Sequence, residues 1–205
     1  MARSENSYPT QIICESPVSE KLLYQLNEHF IPTLSKFITW CNEVKIIADV
    51  DKNVLENAKA VGAGISGGVD SYYSLLKAIN ENSEHFKPTH GLFCDIEDFG
   101  EINQQYLDFA KEICQEANLQ LVHVKSNVCS ELYRIFHENI GACVILSSVL
   151  ALEKLFKTYF YSSAHDYNSF KFDDYSGEKY TFFDAFCFST DNTVNGIIYS
   201  IADGI

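Results

Sequence analysis

The sequence predicts an α/β protein whose core is a parallel sheet with helices on both faces, preceded by a small N-terminal α/β appendage over residues 1–60. Three observations predict it. From Val61 onward, short apolar runs alternate with stretches whose apolar residues recur at helical spacing. Strands separated by helices need crossover connections, which are right-handed and leave neighbouring strands parallel. The glycine-rich and acidic stretches fall where predicted strands end, the edge at which ligands bind such sheets.

The elements follow in order. Residues 1–10 are polar and read as loose. Gln11 to Cys14 reads as a short strand. Ser16-Pro17 reads as an N-cap with proline at the first helical position, and Leu22, Leu23, Leu26 and Phe30 give the next helix one apolar face. Pro32 ends or kinks it, and Leu34, Phe37 and Ile38 continue a second amphipathic piece. Val44 to Val50 reads as a strand and Asp51 to Ala60 as a short helix or turn.

The main domain, 61–205, opens with Val61 to Ile65 as a buried strand, then a helix carrying Tyr72, Leu75, Leu76 and Ile79. Gly91 to Cys94 is a second strand, closing on Asp95-Ile96-Glu97-Asp98. Gly100 opens a helix with the stripe Ile102, Tyr106, Phe109, Ile113 and Ala117. Leu119 to Val124 is a third strand, Ser130 to Phe136 a short helix, Ile140 to Phe156 a long buried helix and Thr158 to Ser162 a fourth strand. Aromatic residues crowd His165 to Ser189; they read as a flap sealing the core or as a substrate lid.

Between the first strand and its helix lies Ser66-Gly67-Gly68-Val69-Asp70-Ser71. A loop at this junction is suited to anions, because unpaired N–H groups and the helix dipole both favour negative charge there. Gly67 and Gly68 let the backbone approach a ligand, Ser66 and Ser71 add hydroxyls, and Asp70 adds an acid that could hold a cation against phosphate oxygens. A Walker A loop is excluded because no lysine follows the glycines. The dinucleotide pattern Gly62-x-Gly64-x-x-Gly67 matches in letters but ends inside the loop instead of the helix. A plain Gly/Ser/Asp turn is the alternative.

Composition narrows the partners. A net charge of -13 with no Lys/Arg cluster disfavours nucleic acid, whose binders need a basic footprint. Seven scattered cysteines contain no metal knuckle or Cys-x-x-Cys pair, and with no secretory signal they predict reduced thiols in the cytoplasm. The longest apolar run, Ile140 to Leu152, is too short to span a bilayer, so no membrane is expected.

The loop resembles the Ser-Gly-Gly-x-Asp-Ser signature of the PP-loop ATP pyrophosphatases, the adenine nucleotide alpha hydrolase-like superfamily. Weaker likeness to a poorly characterised branch extends through Ser16-Pro17-Val18-Ser19, Leu22-Leu23-Tyr24, Ala63-Gly64-Ile65, Tyr161-Ser162-Ser163-Ala164-His165 and Phe188-Ser189-Thr190-Asp191. The resemblance implies a five-stranded parallel sheet and a loop that grips ATP phosphates, with cleavage between the alpha and beta phosphates. It implies ATP and Mg²⁺ as cofactors, bound by Ser66, Gly67, Gly68, Val69, Asp70 and Ser71. Asp70 and Asp95 are the candidate metal ligands, and Asp70, Asp95 and His165 the candidate catalytic residues. Each has a plain alternative: a helix-start acid for Asp70, a solvated acidic turn for Asp95, a hydrogen-bonded structural histidine for His165. Cys94 is the thiol to suspect if sulfur is transferred, against a buried strand cysteine. The expected activity is adenylation of a small-molecule acceptor with release of pyrophosphate, for attack by an amine or thiol. The alternative is a non-catalytic adenine-nucleotide-binding or regulatory subunit. Because the chain stops at Ile205, soon after the last motif, a second copy or a partner subunit is expected to supply the missing acceptor part.

Overall fold

The computed structural model describes residues 10–37, 42–53, 56–80, 84–96, 104–128, 131, 141–162 and 198–201. The N-terminal part holds two small parallel sheets. Strand β1 (Gln11–Ile13) pairs with β3 (Lys45–Ile47), and β2 (Val18–Ser19) with β4 (Val50–Asp51). The single strand expected over 44–50 is therefore split, each half serving a different partner.

That pairing also moves the first helix. Val18 N–H donates to the Asp49 carbonyl at 2.9 Å, which holds residue 18 extended, so Ser16 cannot cap and Ser19 does. The Ser19 hydroxyl accepts from Leu22 N–H at 3.2 Å, opening α1 (Glu20–Gln25). Pro32 does not end the helix. A π-helical segment, Leu26–Phe30, leads without a break into α2 (Ile31–Phe37), and Ile31 N–H reaches back to the Leu26 carbonyl. A π turn directly before the ring suits a proline, because the ordinary helical path would press it on the carbonyl four residues back. Asn27, inside that turn, donates to the Ile46 carbonyl (2.9 Å) and accepts from Ile46 N–H (2.8 Å).

Within the stretch expected as a helix or turn, 51–60, residues 56–59 form no helix; Lys59 is left-handed (φ 58°) with its N–H donating to Asn57 Oδ1, a tight turn that leads into β5 at Ala60. The Asn57 carboxamide bonds to the carbonyls of Glu153 and Phe156, tying this connection to the main sheet.

The main sheet orders its parallel strands β7 (Gln120–Lys125), β6 (His90–Asp95), β5 (Ala60–Gly64) and β8 (Phe156–Ser162). Helices α3 (Val69–Ile79) and α4 (Gln104–Glu116) share one core with Val61, Ala63, Ile65, Phe93 and Phe160. On the other face α5 (Gly141–Ala151) packs Leu146 and Val149 against Leu92, Phe156 and Tyr159. Burying each such large side chain stabilises the fold by about 1.5–3 kcal/mol. Strand pairs here leave little room: a Cβ on Gly62 would meet the Phe156 and Tyr159 rings at 2.6–2.9 Å. Helix α4 ends in a Schellman turn, with Asn118 in the left-handed region (φ 54°) and Leu119 N–H on the Cys114 carbonyl at 2.7 Å.

Three further expectations are corrected. α3 buries Ser71, Ser74, Leu75 and Ala78, whereas Tyr72 and Leu76 face outward. α4 buries Leu107, Ala110, Ile113 and Cys114, with Tyr106 and Phe109 exposed. The long helix ends at Ala151, and a turn feeds β8 from Phe156 because Phe156 N–H returns to the Leu152 carbonyl. Of the short helix over 130–136 only Glu131 is described, its N–H donating to the Asn127 carbonyl at 3.1 Å, and the aromatic stretch 165–189 lies outside the described residues. No helix among the described residues is long and apolar enough to cross a membrane.

Candidate functional site

Strand β5 ends against its neighbour, with Ile65 N–H donating to the Leu92 carbonyl at 2.8 Å. The chain then turns sharply. Gly67 has φ +81°, the left-handed region, and Gly68 is extended (φ -85°, ψ 160°) as the residue preceding α3. The two serines lock the turn. Ser66 Oγ donates to Ser71 Oγ at 3.1 Å, and Ser71 Oγ donates to the Gly68 carbonyl at 2.9 Å. Longer contacts of 3.4 Å run from Ser66 N–H to Ser71 Oγ and from Gly68 N–H to Ser66 Oγ. The first helical bond is Tyr72 N–H to the Gly68 carbonyl, 3.2 Å, so the N–H groups of Val69, Asp70 and Ser71 precede the ladder. Donors of this kind, at a helix start, favour an anion.

A cleft of about 350 Å³ opens at this end of the sheet. Its size lies at the small end of the range for ligand sites. Gly64, Ile65, Ser66 and Ser71 form one wall, Leu92 to Cys94 of β6 a second, and Tyr159, Tyr161 and Ser162 of β8 a third. Tyr106 of α4 closes a side. A Cβ on Gly64 would lie 2.8 Å from the Tyr159 hydroxyl, so glycine is what lets that phenol pass.

The structure brings Ser66, Gly67, Gly68, Val69, Asp70 and Ser71 together in one turn, with Ser66 and Ser71 on the cleft. Neither Asp70 nor Asp95 is among the residues lining it. Asp95 is not a solvated turn: it ends β6, is buried, and sets Oδ2 3.5 Å from His123 Nε2 on β7. The His123 ring lies against Phe93, centroids 5.6 Å apart. Among the described residues Asp95 Oδ2 has no hydrogen-bond partner, a buried carboxylate oxygen able to accept a cation. That much fits Mg²⁺, which is held by one or two carboxylates together with phosphate oxygens. Among the described residues no three His, Cys, Asp or Glu side chains gather as a metal site. His165 lies outside the described residues.

Burial pushes the Cys94 thiol up to about 12, so it is protonated at neutral pH and is no ready nucleophile. Burial likewise raises the Tyr159 phenol well above its ordinary value, reinforced by Cys94 and Tyr161 nearby. Sequence reasoning did not single out Tyr106, His123 or Ser162 as site residues. Ser162 Oγ is buried on the cleft, with no hydrogen-bond partner among the described residues. Its position in the Tyr161–His165 motif was the available signal; for His123 the polar place in an alternating strand was a faint one, and Tyr106 read as core.

Compared with family models, with curated proteins and with solved structures, the chain finds no match in any of the three.

Proposed function

We propose that this chain is a PP-loop-type ATP pyrophosphatase, binding ATP with Mg²⁺ and adenylating a small-molecule acceptor as pyrophosphate leaves. The observation that carries this is the Ser66–Gly68–Ser71 hydrogen-bonded turn between β5 and α3, its serines on a cleft at the carboxyl end of a parallel sheet. In this reading the Val69, Asp70 and Ser71 N–H groups and both hydroxyls hold phosphate oxygens. Asp70 and Asp95 would hold Mg²⁺, which would supply charge neutralisation on the leaving group. An amine or thiol of a second substrate then attacks the adenylated acceptor and AMP leaves; Cys94, protonated, is not that thiol. The full sheet is five-stranded, adenine nucleotide alpha hydrolase-like, and parallel pairing of β9 (Ile198–Ile201) with Tyr159–Ser162 supports that reading. A cytoplasmic enzyme acting on small molecules and using no nucleic acid fits the acidic balance.

The non-catalytic alternative shares the loop. What favours it is Asp95, whose carboxylate is turned to His123. Two measurements separate the readings. ATP with Mg²⁺ should raise the melting temperature by mass action, and more than GTP does; no shift with any adenine nucleotide at millimolar level would sink both. Pyrophosphate release in the presence of a metabolite extract, with the product identified by mass spectrometry, supports the enzyme, and ATP binding without release supports the module.

A further inference from the structure

Among the described residues four aromatic side chains line the cleft, and they are not equivalent. Tyr159 and Phe93 are core residues, 1% and 9% exposed, and Tyr161 is half-buried. Tyr106 is 52% exposed while lining the same space. Its place is fixed from both sides. Leu107 and Ala110, buried on α4, anchor the helix to the sheet, and the ring edge lies over the left-handed glycine of the loop: a Cβ on Gly67 would stand 3.3 Å from Tyr106 Cδ1. The serine turn thus has an open aromatic ring beside it, where a purely phosphate-binding site would have no use for one. An exposed ring facing a cleft offers a flat, polarisable surface to another planar ring.

Resting on the nucleotide reading above, we infer that Tyr106 is the stacking platform for the heteroaromatic base of the bound nucleotide, so that loop and ring divide one ligand between them. The serine turn takes the phosphates and Tyr106 takes the base. Stacking uses the π-face that every base has, so Tyr106 contributes affinity and placement without choosing between bases. The role needs the ring and not the phenol hydroxyl.

The test is calorimetric titration of Mg²⁺–ATP and Mg²⁺–tripolyphosphate, which has the phosphates but no base, into wild type, Tyr106→Leu and Tyr106→Phe. Wild type is expected to bind ATP more tightly than tripolyphosphate. Tyr106→Leu should weaken ATP by about tenfold, the scale of losing one base–aromatic stack, and leave tripolyphosphate unchanged. Tyr106→Phe should keep the wild-type preference. If Tyr106→Leu weakens both ligands alike, or neither, the inference is overturned. Equal wild-type affinity for the two ligands overturns it too, while leaving the phosphate reading intact. If wild type binds neither, the nucleotide reading falls and this inference with it. Melting curves verify that each variant is folded; should Tyr106→Leu not fold, Tyr106→Ala carries the same comparison.

Discussion

Ser66 Oγ and Ser71 Oγ stand 3.1 Å apart, joining the start of the glycine turn to the first turn of α3. Ser71 is buried (7% exposed) and passes the bond on to the Gly68 carbonyl. Ser71→Ala removes both links, so the folded state should lose about 1 kcal/mol, the usual worth of a net hydrogen bond. Ser66→Ala should cost less stability, because that residue is exposed, and should weaken ATP itself. Urea unfolding and ATP titration on the two variants check this ordering.

Asp70 gives the next expectation. Asp70→Asn keeps the size and removes the charge. If Asp70 places Mg²⁺ on the departing pyrophosphate, turnover should fall much more than ATP affinity, the mark of a contact that strengthens as the leaving group gains charge. Pyrophosphate release with a working acceptor, set beside calorimetry, reads the difference. Normal turnover by Asp70→Asn would rule out its metal role.

Gly67 combines φ +81° with the Tyr106 and Phe109 rings 3.3 and 3.5 Å from where a Cβ would sit. Gly67→Ala is therefore strained by its backbone even if the rings give way. A loss of about 1–2 kcal/mol is expected on the scale of a non-glycine residue held in the left-handed region, measured by chemical unfolding. A neutral substitution would show that the turn relaxes.

Cys94 makes a pH prediction. Its ordinary value is 9.0 and burial lifts it to about 12 in the fold. Between those values the folded chain keeps a proton that the unfolded chain has lost. Its contribution is thus fully present below pH 9 and lost as pH rises toward 12. Tyr159, raised by burial from 10.0, acts in the same direction. Melting temperature should fall across this alkaline range, and Cys94→Ala should fall less steeply. At pH 8 iodoacetamide should modify Cys94, half-buried on the cleft and protonated, much more slowly in the native protein than after unfolding, by peptide mapping; equal rates would contradict its raised value.

The strand–turn–helix around Ser66 was legible because its information is local: an apolar small-residue strand, two glycines and two serines in one short run. The faces of α3 and α4 were not. Periodicity rewards bulky apolar residues, yet the close approach of α3 to the sheet admits Ser71, Ser74 and Ala78 and turns Tyr72 and Leu76 outward. The same misreading hid Tyr106, since its neighbour Gly67 is far away in sequence. Ser19 as the cap was hidden for a related reason: β4 dictates it, by holding Val18 extended. The Asp95–His123 contact joins adjacent strands and depends on their register, which no run of letters states.

The placement of β5 between β6 and β8 has a kinetic consequence. The strand that feeds the glycine turn pairs on one side with β6, the next main-sheet strand in sequence, but on the other with β8, which is made only after α3, β6, α4, β7 and α5. Contacts of such long sequence separation form slowly, because the loop between them must close before they reward it. During synthesis Ala60 to Gly64 therefore waits with one edge unpaired until Phe156 to Ser162 leaves the ribosome. Gly64 and Ser162 line the cleft from these two adjacent strands and come together only at that step, so the ligand site is assembled late and a nascent chain lacking β8 has no finished cleft to fill.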